Sequence, residues 1–204
     1  MSGAADVDPV TQALARGDLA TALTRLMHEH GLSIHRFCVS MLGQPSLADD
    51  VHQAVFVQAY EGLLDFRGDG STQAWRAWLF GIARHRCLDA ARARKRWNWR
   101  FILTGDTRAS AAAVADGAQA HHFVAGIPEV EHTTESDPRS SALRDCLRTL
   151  APHVRVAVLM RYEQGLSYDE IAQMSRERAP AIQARVARAL PLLRDCMVGK
   201  EQTL

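Results

Sequence analysis

The sequence predicts an all-α protein of two small helical domains joined by a flexible linker. Three observations carry this. Apolar residues recur at helical spacing almost throughout, no stretch alternates as a strand does, and a stretch between the two periodic parts is poor in large apolar side chains. A chain of 204 residues suits one or two ordinary domains, and its 47% hydrophobic and 23% charged content lies in the globular range.

The first domain is expected over residues 10–100. Leu19, Leu23 and Leu26 set one apolar stripe, and Ile34, Phe37, Cys38, Met41 and Leu42 set a second. Gly31 and Gly43 stand where these helices should end. A third helix should start at Ser46, where Ser46 and Asp49 read as a capping box with Asp replacing the usual Glu. Its buried face is Leu47, Val51, Val55, Ala59 and Leu63. Turn-forming residues fill Phe66 to Ser71, and a fourth helix then carries the stripe Trp75, Trp78, Leu79 and Ile82 into a basic end. Trp75 and Trp78 share that stripe, so they are expected in the core.

Small and polar residues dominate from about Gly105 to Ser140, within an expected linker at 101–139. Periodicity returns with Leu143, Leu147 and Leu150 and continues to Leu190, giving a second helical domain at 140–199. Here Gly165 ends a helix, and Ser167 with Glu170 three residues later forms a full capping box for the next. Small Ala172 lets a following helix cross closely, as a helix-turn-helix requires. That following helix presents Gln183, Arg185 and Arg188 beside an Ile182/Val186 face. The second helix of such a pair lies in the DNA major groove.

Net charge is only +1, but it is polarised. Arg84 to Arg100 holds seven bases against Asp89 alone, whereas 101–138 holds six acids against Arg108. A basic helix end followed by an acidic connector suggests a polyanionic partner at one place. Trp97 and Trp99, interleaved with bases, suit either stacking on DNA or packing on the linker. The four cysteines form no ligand spacing and are expected as reduced thiols of a cytoplasmic protein. No apolar run predicts membrane insertion, and Met1 to Asp6 has no basic or apolar leader character. Neither a metal-ligand cluster, a P-loop, a nucleophile elbow nor a carboxylate pair is legible, so the reading is not an enzyme and invokes no cofactor or metal.

The run RYEQGLSYDEIA (Arg161 to Ala172), with Arg155 before it and RVARA after it, resembles region 4 of extracytoplasmic-function (ECF) sigma factors, the module that reads the −35 promoter element. Region 2 of the same family is matched separately. ADDVHQAVFVQAY (Ala48 to Tyr60) resembles the helix that docks on core RNA polymerase, and Phe66 to Arg96 resembles the −10 recognition and melting segment. The resemblance implies core-polymerase contacts at Asp49, Asp50, Gln53 and Phe56. It implies −10 contacts at Asp69, Gly70 and Ser71, which would line a pocket for a flipped-out base, and at Arg84, His85, Asp89 and Arg92. Arg94, Lys95 and Arg96 would meet phosphates, and −35 contacts would come from Arg155, Ser167, Tyr168, Gln183, Arg185 and Arg188. The implied partners are core RNA polymerase, promoter DNA and an anti-sigma factor. An alternative is a helix-turn-helix regulator acting without polymerase, which would need neither the docking helix nor the melting segment.

The chain departs from the family pattern at several positions. Arg176, Glu177 and Arg178 occupy a turn where the family carries Gly, an apolar residue and a small cap, and Pro180-Ala181 replace Gly-Thr. Loss of that cap should cost about 1 kcal/mol. Glu177, at a normally inward position, must turn outward or find a partner. Pro191 should kink or end the last helix, and His85 stands where Asn is common.

Overall fold

The computed structural model describes residues 8–104 and 137–201. Every regular element among them is helical. α1 (Pro9–Ala15), α2 (Leu19–Leu42), α3 (Pro45–Gly62), a 3-10 turn (Leu63–Asp65) and α4 (Thr72–Thr104) form an N-terminal unit. α5 (Pro138–Thr149), α6 (Pro152–Tyr162), α7 (Tyr168–Ser175) and α8 (Ala179–Glu201) form a C-terminal one. Most of the expected linker, with His121, His122 and His132, lies outside the described residues, as do the side chains of Trp97 and Trp99.

α1 has no counterpart in the sequence reading. Pro9 sits in its first turn, and the buried Asp8 caps it by accepting from Val10 N at 2.9 Å. The other Asp8 oxygen accepts from Thr72 Oγ1 at 2.6 Å, tying α1 to the start of α4. The two stripes read as separate helices are one helix, α2, which runs through Gly31. Leu26, His30, Ile34, Phe37 and Cys38 continue the same buried face across it, and this burial outweighs the roughly 1 kcal/mol a mid-helix glycine costs. Gly43, at φ 68°, closes the helix as expected.

α3 begins one residue earlier than predicted. Pro45 takes the first helical position after Gln44, with no side-chain cap, so the Ser46 capping box does not form. Val51, Val55, Ala59 and Leu63 are buried as predicted. Ser71 starts α4, its Oγ accepting from Ala74 N at 3.1 Å. Trp75 is 1% exposed with Phe66 stacked on it at 3.6 Å, and Trp78 packs against both rings, so both tryptophans belong to the core.

In the C-terminal unit α5, α6 and α7 all pack on α8. Pro191 does not end α8, which continues to Glu201. The turn beyond the proline is held by buried Leu193, by an ion pair between Lys200 and Asp145 at 3.4 Å, and by a disulfide between Cys146 and Cys196. That disulfide overturns the expectation of four reduced thiols: the two sulfurs come from helices fifty residues apart whose packing brings the Cα atoms to 5.8 Å. Cys38 and Cys87 are free and buried.

The two units touch. α6 and α5 lie on α2, and α7 and α6 lie on α4. Arg76 Nη2 donates to the Gln164 carbonyl, Gln73 Nε2 to Glu170, and Arg148 Nη2 to the Gly43 carbonyl at 3.0 Å.

Candidate nucleic-acid interface

α3 separates its residues by periodicity. Val51 and Val55 point inward, while Asp49, Asp50 and Gln53 are exposed. Asp49 is braced, because His35 Nε2 on α2 lies 2.8 Å from its Oδ1. Behind this pair His52 contacts the Gly31 carbonyl through Nε2 at 3.1 Å and meets the His35 and Phe56 rings edge-on. Burial holds the His52 pKa below its ordinary value, with the neighbouring His35 acting the same way. Phe56 departs from its expected role. It is 4% exposed and belongs to the core, so it offers almost no surface to a partner.

The loop before α4 is built by its own polar groups. Asp69 Oδ1 accepts from Ser71 N at 2.9 Å, and hydrogen bonding by the Ser71 side chain, then by its backbone N–H, holds the Asp69 carboxyl below its usual range. Gly70 has φ 76°, and its carbonyl accepts from Thr11 Oγ1 at 2.8 Å. A Cβ there would come within 2.7 Å of that hydroxyl, so both backbone and space call for glycine. Along α4, His85, Asp89, Arg92, Arg94, Lys95 and Arg96 are exposed, with His85, Asp89, Arg92 and Arg96 on the side away from Cys87 and Leu88. Asp89 and Arg92 pair at 3.1 Å, and Arg94 Nη1 reaches the Leu42 carbonyl at 3.3 Å. Arg84 is set apart: it is half-buried, faces the C-terminal unit, and has its Nε without a hydrogen-bond partner. Burial lowers the pKa of its guanidinium, with the charge of Glu177 opposing.

In the helix-turn-helix, the predicted capping box forms in both directions. Ser167 Oγ accepts from Glu170 N at 3.2 Å, and Ser167 N donates to Glu170 Oε2 at 2.7 Å. Ser167 therefore shapes the motif. Tyr168 is half-buried under Arg161, whose guanidinium carbon is 4.9 Å from the ring centre. Arg176 takes the left-handed conformation, φ 53°, that glycine would fill at the turn. Glu177 finds its partner in Arg185, which donates to it through both terminal nitrogens. The bidentate pair lowers the Glu177 pKa and raises that of Arg185. On α8, Ile182, Val186 and Ala189 face inward, while Gln183 and Arg188 are exposed on the outer face.

Of the residues predicted on α8, Gln183 and Arg188 are thus exposed, while Arg185 is held in its ion pair. Arg155 departs furthest from expectation. Its guanidinium donates to the carbonyls of Leu147 at 2.7 Å, Arg148 at 2.6 Å, Leu150 at 3.1 Å and, across the units, Met41 at 2.6 Å. It is a strut that spends four of its N–H groups on helix-end carbonyls inside the protein. Arg178, exposed in the turn just before α8, is a candidate the sequence reading passed over. A base leading into the second helix of the pair was the signal available. No group of three or more His, Cys, Asp and Glu among the described residues is placed to hold a metal ion, and no described helix is long and apolar enough to cross a membrane.

Comparison with known proteins agrees with this arrangement. Residues 26–97 match the model of sigma-70 region 2, and residues 140–193 match that of sigma-70 region 4. RNA polymerase sigma-H factor of Pseudomonas aeruginosa is 28% identical over 195 residues, covering 91% of this chain and 95% of that protein. ECF RNA polymerase sigma-E factor of Escherichia coli is 28% identical over 160 residues, covering 76% and 74%. The sigma factor RpoE solved with the anti-sigma factor NepR from Bartonella quintana superposes with a TM-score of 0.59 at 19% identity, covering 85% of this chain and 95% of that one. With both regions matched in order on an all-helical frame, the chain belongs to the sigma-70 family as a sigma factor of the ECF type.

Proposed function

We propose that this sigma factor docks on core RNA polymerase through Asp49, Asp50 and Gln53, and opens promoters with the loop Asp69-Gly70-Ser71 and the exposed face of α4. A reader of separated strands needs bases that track the backbone and a pocket for an unstacked base. The exposed run Arg92, Arg94, Lys95 and Arg96 beside the glycine-shaped loop supports that division of labour. His85 and Asp89 lie on the same exposed face of α4. Gln183 and Arg188 read the −35 element, with Arg178 entering beside them. The segment 101–139 acts as the connector between domains 10–100 and 140–199, and its acidic character suits a channel built for nucleic acid. The protein works in the cytoplasm and is held in check by an anti-sigma factor, as in the complex of RpoE with NepR.

The observation that carries this reading is the docking face. A regulator acting without polymerase has no use for two acids and an amide exposed on one helix, one of them braced by a histidine. Arg84 joins the DNA contacts only when the two units separate, since it is turned toward Glu177 across the contact described, while Arg185 must leave its ion pair with Glu177 inside its own unit. Co-purification with core polymerase and a run-off transcription assay test the proposal. A complex that forms and initiates at a specific start supports it; DNA binding without core association favours the helix-turn-helix regulator.

A further inference from the structure

The fold sorts the four cysteines into two pairs of opposite character. Cys38 and Cys87 face each other across α2 and α4 with sulfurs 3.7 Å apart, both fully buried. The hydrogen bond to Cys38 and burial push the Cys87 thiol far above its ordinary pKa, and both sulfurs are sealed from solvent, so an outside disulfide does not reach this pair. Cys146 and Cys196 are already bonded across α5 and α8. Cys146 is buried, but Cys196 is half-buried near the C-terminal end of α8, so a small thiol can reach the bond from solvent. A protein that works with RNA polymerase operates in a reducing compartment, where disulfides are transient and sense redox state. We propose that Cys146 and Cys196 are a reversible thiol–disulfide switch that sets how firmly the −35 reading domain is folded.

The switch sits where the domain is weakest. Pro191 has no N–H to continue the α8 ladder, so the helix beyond it depends on side-chain anchors. Besides the disulfide these include buried Leu193, the half-buried Met197 packed on the core and the surface pair Lys200–Asp145, a kind of pair that contributes little. A unit of about sixty residues is marginal without a staple. The residues around Cys146 also carry the contacts to the other unit: Arg148 donates to the Gly43 carbonyl, and Leu147 and Arg148 offer carbonyls to Arg155, which reaches Met41. Reduction therefore loosens the far end of α8 and the helix that seats this unit on α2.

The chemistry balances with a low-molecular-weight disulfide such as oxidised glutathione. The Cys196 thiolate attacks one glutathione sulfur and displaces the other as a thiolate. The deprotonated Cys146 sulfur then attacks Cys196, forming the protein disulfide and releasing the second glutathione. Two electrons and two protons pass from the protein to glutathione, and excess reduced glutathione reverses both steps.

The test uses the full-length protein in glutathione buffers of graded ratio, with thiols alkylated and mapped by mass spectrometry. Cys146 and Cys196 should titrate together while Cys38 and Cys87 remain thiols throughout. Amides of 143–149 and 192–200 should exchange at least about tenfold faster in the reduced protein. Run-off transcription from a −35-dependent promoter should fall several-fold on reduction, and the Cys146→Ser/Cys196→Ser variant should stay at the reduced level in every buffer. A pair that stays bonded at the reducing limit, or open at the oxidising limit, overturns the proposal, as does equal exchange in the two states. The functional arm rests on the sigma-factor reading. No transcript in either state would count against that reading, while thiol titration and exchange would still decide the switch.

Discussion

His35 Nε2 lies 2.8 Å from Asp49 Oδ1, so the two adjacent acids of α3 are not equivalent. Asp49 is oriented by α2, whereas Asp50 stands exposed toward solvent. Reversing the charge at Asp50 should therefore remove polymerase contact without disturbing the frame. Asp50→Lys is expected to weaken association with core at least about tenfold, because like charges meeting across an interface cost several kcal/mol. Its unfolding free energy should change by no more than about 0.5 kcal/mol. Pull-down with purified core and equilibrium unfolding measure the two effects, and unchanged binding would remove Asp50 from the interface.

Acid should destabilise this chain in a window set by histidines. Burial lowers the pKa of both His30 and His52, with Glu29 opposing at His30 and the Gly31 carbonyl opposing at His52. The folded chain then binds fewer protons than the unfolded chain below about pH 6.5, so stability is full above that value and falls as pH drops through it. Urea midpoints at about pH 7.5 and about pH 5.5 should differ. His52→Gln, which keeps a donor for the Gly31 carbonyl, should flatten part of the slope. A midpoint independent of pH across this range would show that the two imbalances do not reach global stability.

Arg155 makes the clearest case of a mistaken placement with a measurable consequence. As a strut donating to four carbonyls, its replacement by Ala should destabilise the folded protein by about 2 to 4 kcal/mol, since several charged hydrogen bonds to partly buried carbonyls are lost. Binding of the folded variant to a −35 duplex should change less than twofold. A large loss of DNA affinity at unchanged stability would return Arg155 to the DNA.

Arg176 holds a conformation that suits glycine. Arg176→Gly should stabilise the helix-turn-helix by about 0.5 to 1 kcal/mol by relieving the left-handed strain at φ 53°. Thermal unfolding measures it, and a destabilised variant would mean that the arginine side chain contributes more than its backbone costs.

These cases show which parts of the molecule a sequence displays. The capping box of Ser167 and Glu170 spans three residues, and the tryptophan stripe of α4 spans seven, so both are written in local order and both form. Gly31 misled because a glycine's local cost is small beside the burial of its neighbours on one continuous face. The Cys146–Cys196 bond and the Arg155 contact to Met41 join residues 50 and 114 positions apart. No spacing rule reaches so far; only the packing of α5 on α8, and of α6 on α2, brings those atoms together. Phe56 was misplaced for a subtler reason. It lies one residue from Val55 on a helix whose buried face is wide enough to take both.

The basic end of α4 and the outer face of α8 should fail in different ways when altered. Arg94, Lys95 and Arg96 are exposed and follow one another on a helix, an arrangement that meets phosphates wherever they lie and carries no base information. Replacing all three by Ala should weaken the holoenzyme on every promoter by a similar factor and lower the slope of log affinity against log salt by about 2 to 3. Gln183 and Arg188 are the exposed side chains of a helix whose inner face, Ile182, Val186 and Ala189, is fully committed to the core. An amide pairs with base edges, so Gln183→Ala should change the ranking among −35 variants by about 1 to 3 kcal/mol at one base position. Arg188→Ala should lower affinity for all of them and reduce the salt slope by about 1. Binding titrations of the holoenzyme on a set of −35 variants at several salt concentrations separate these outcomes. If neither substitution on α8 alters transcription while the triple substitution on α4 does, the −35 element is not read by this helix. Promoter choice would then rest on the loop at Asp69 and the exposed face of α4.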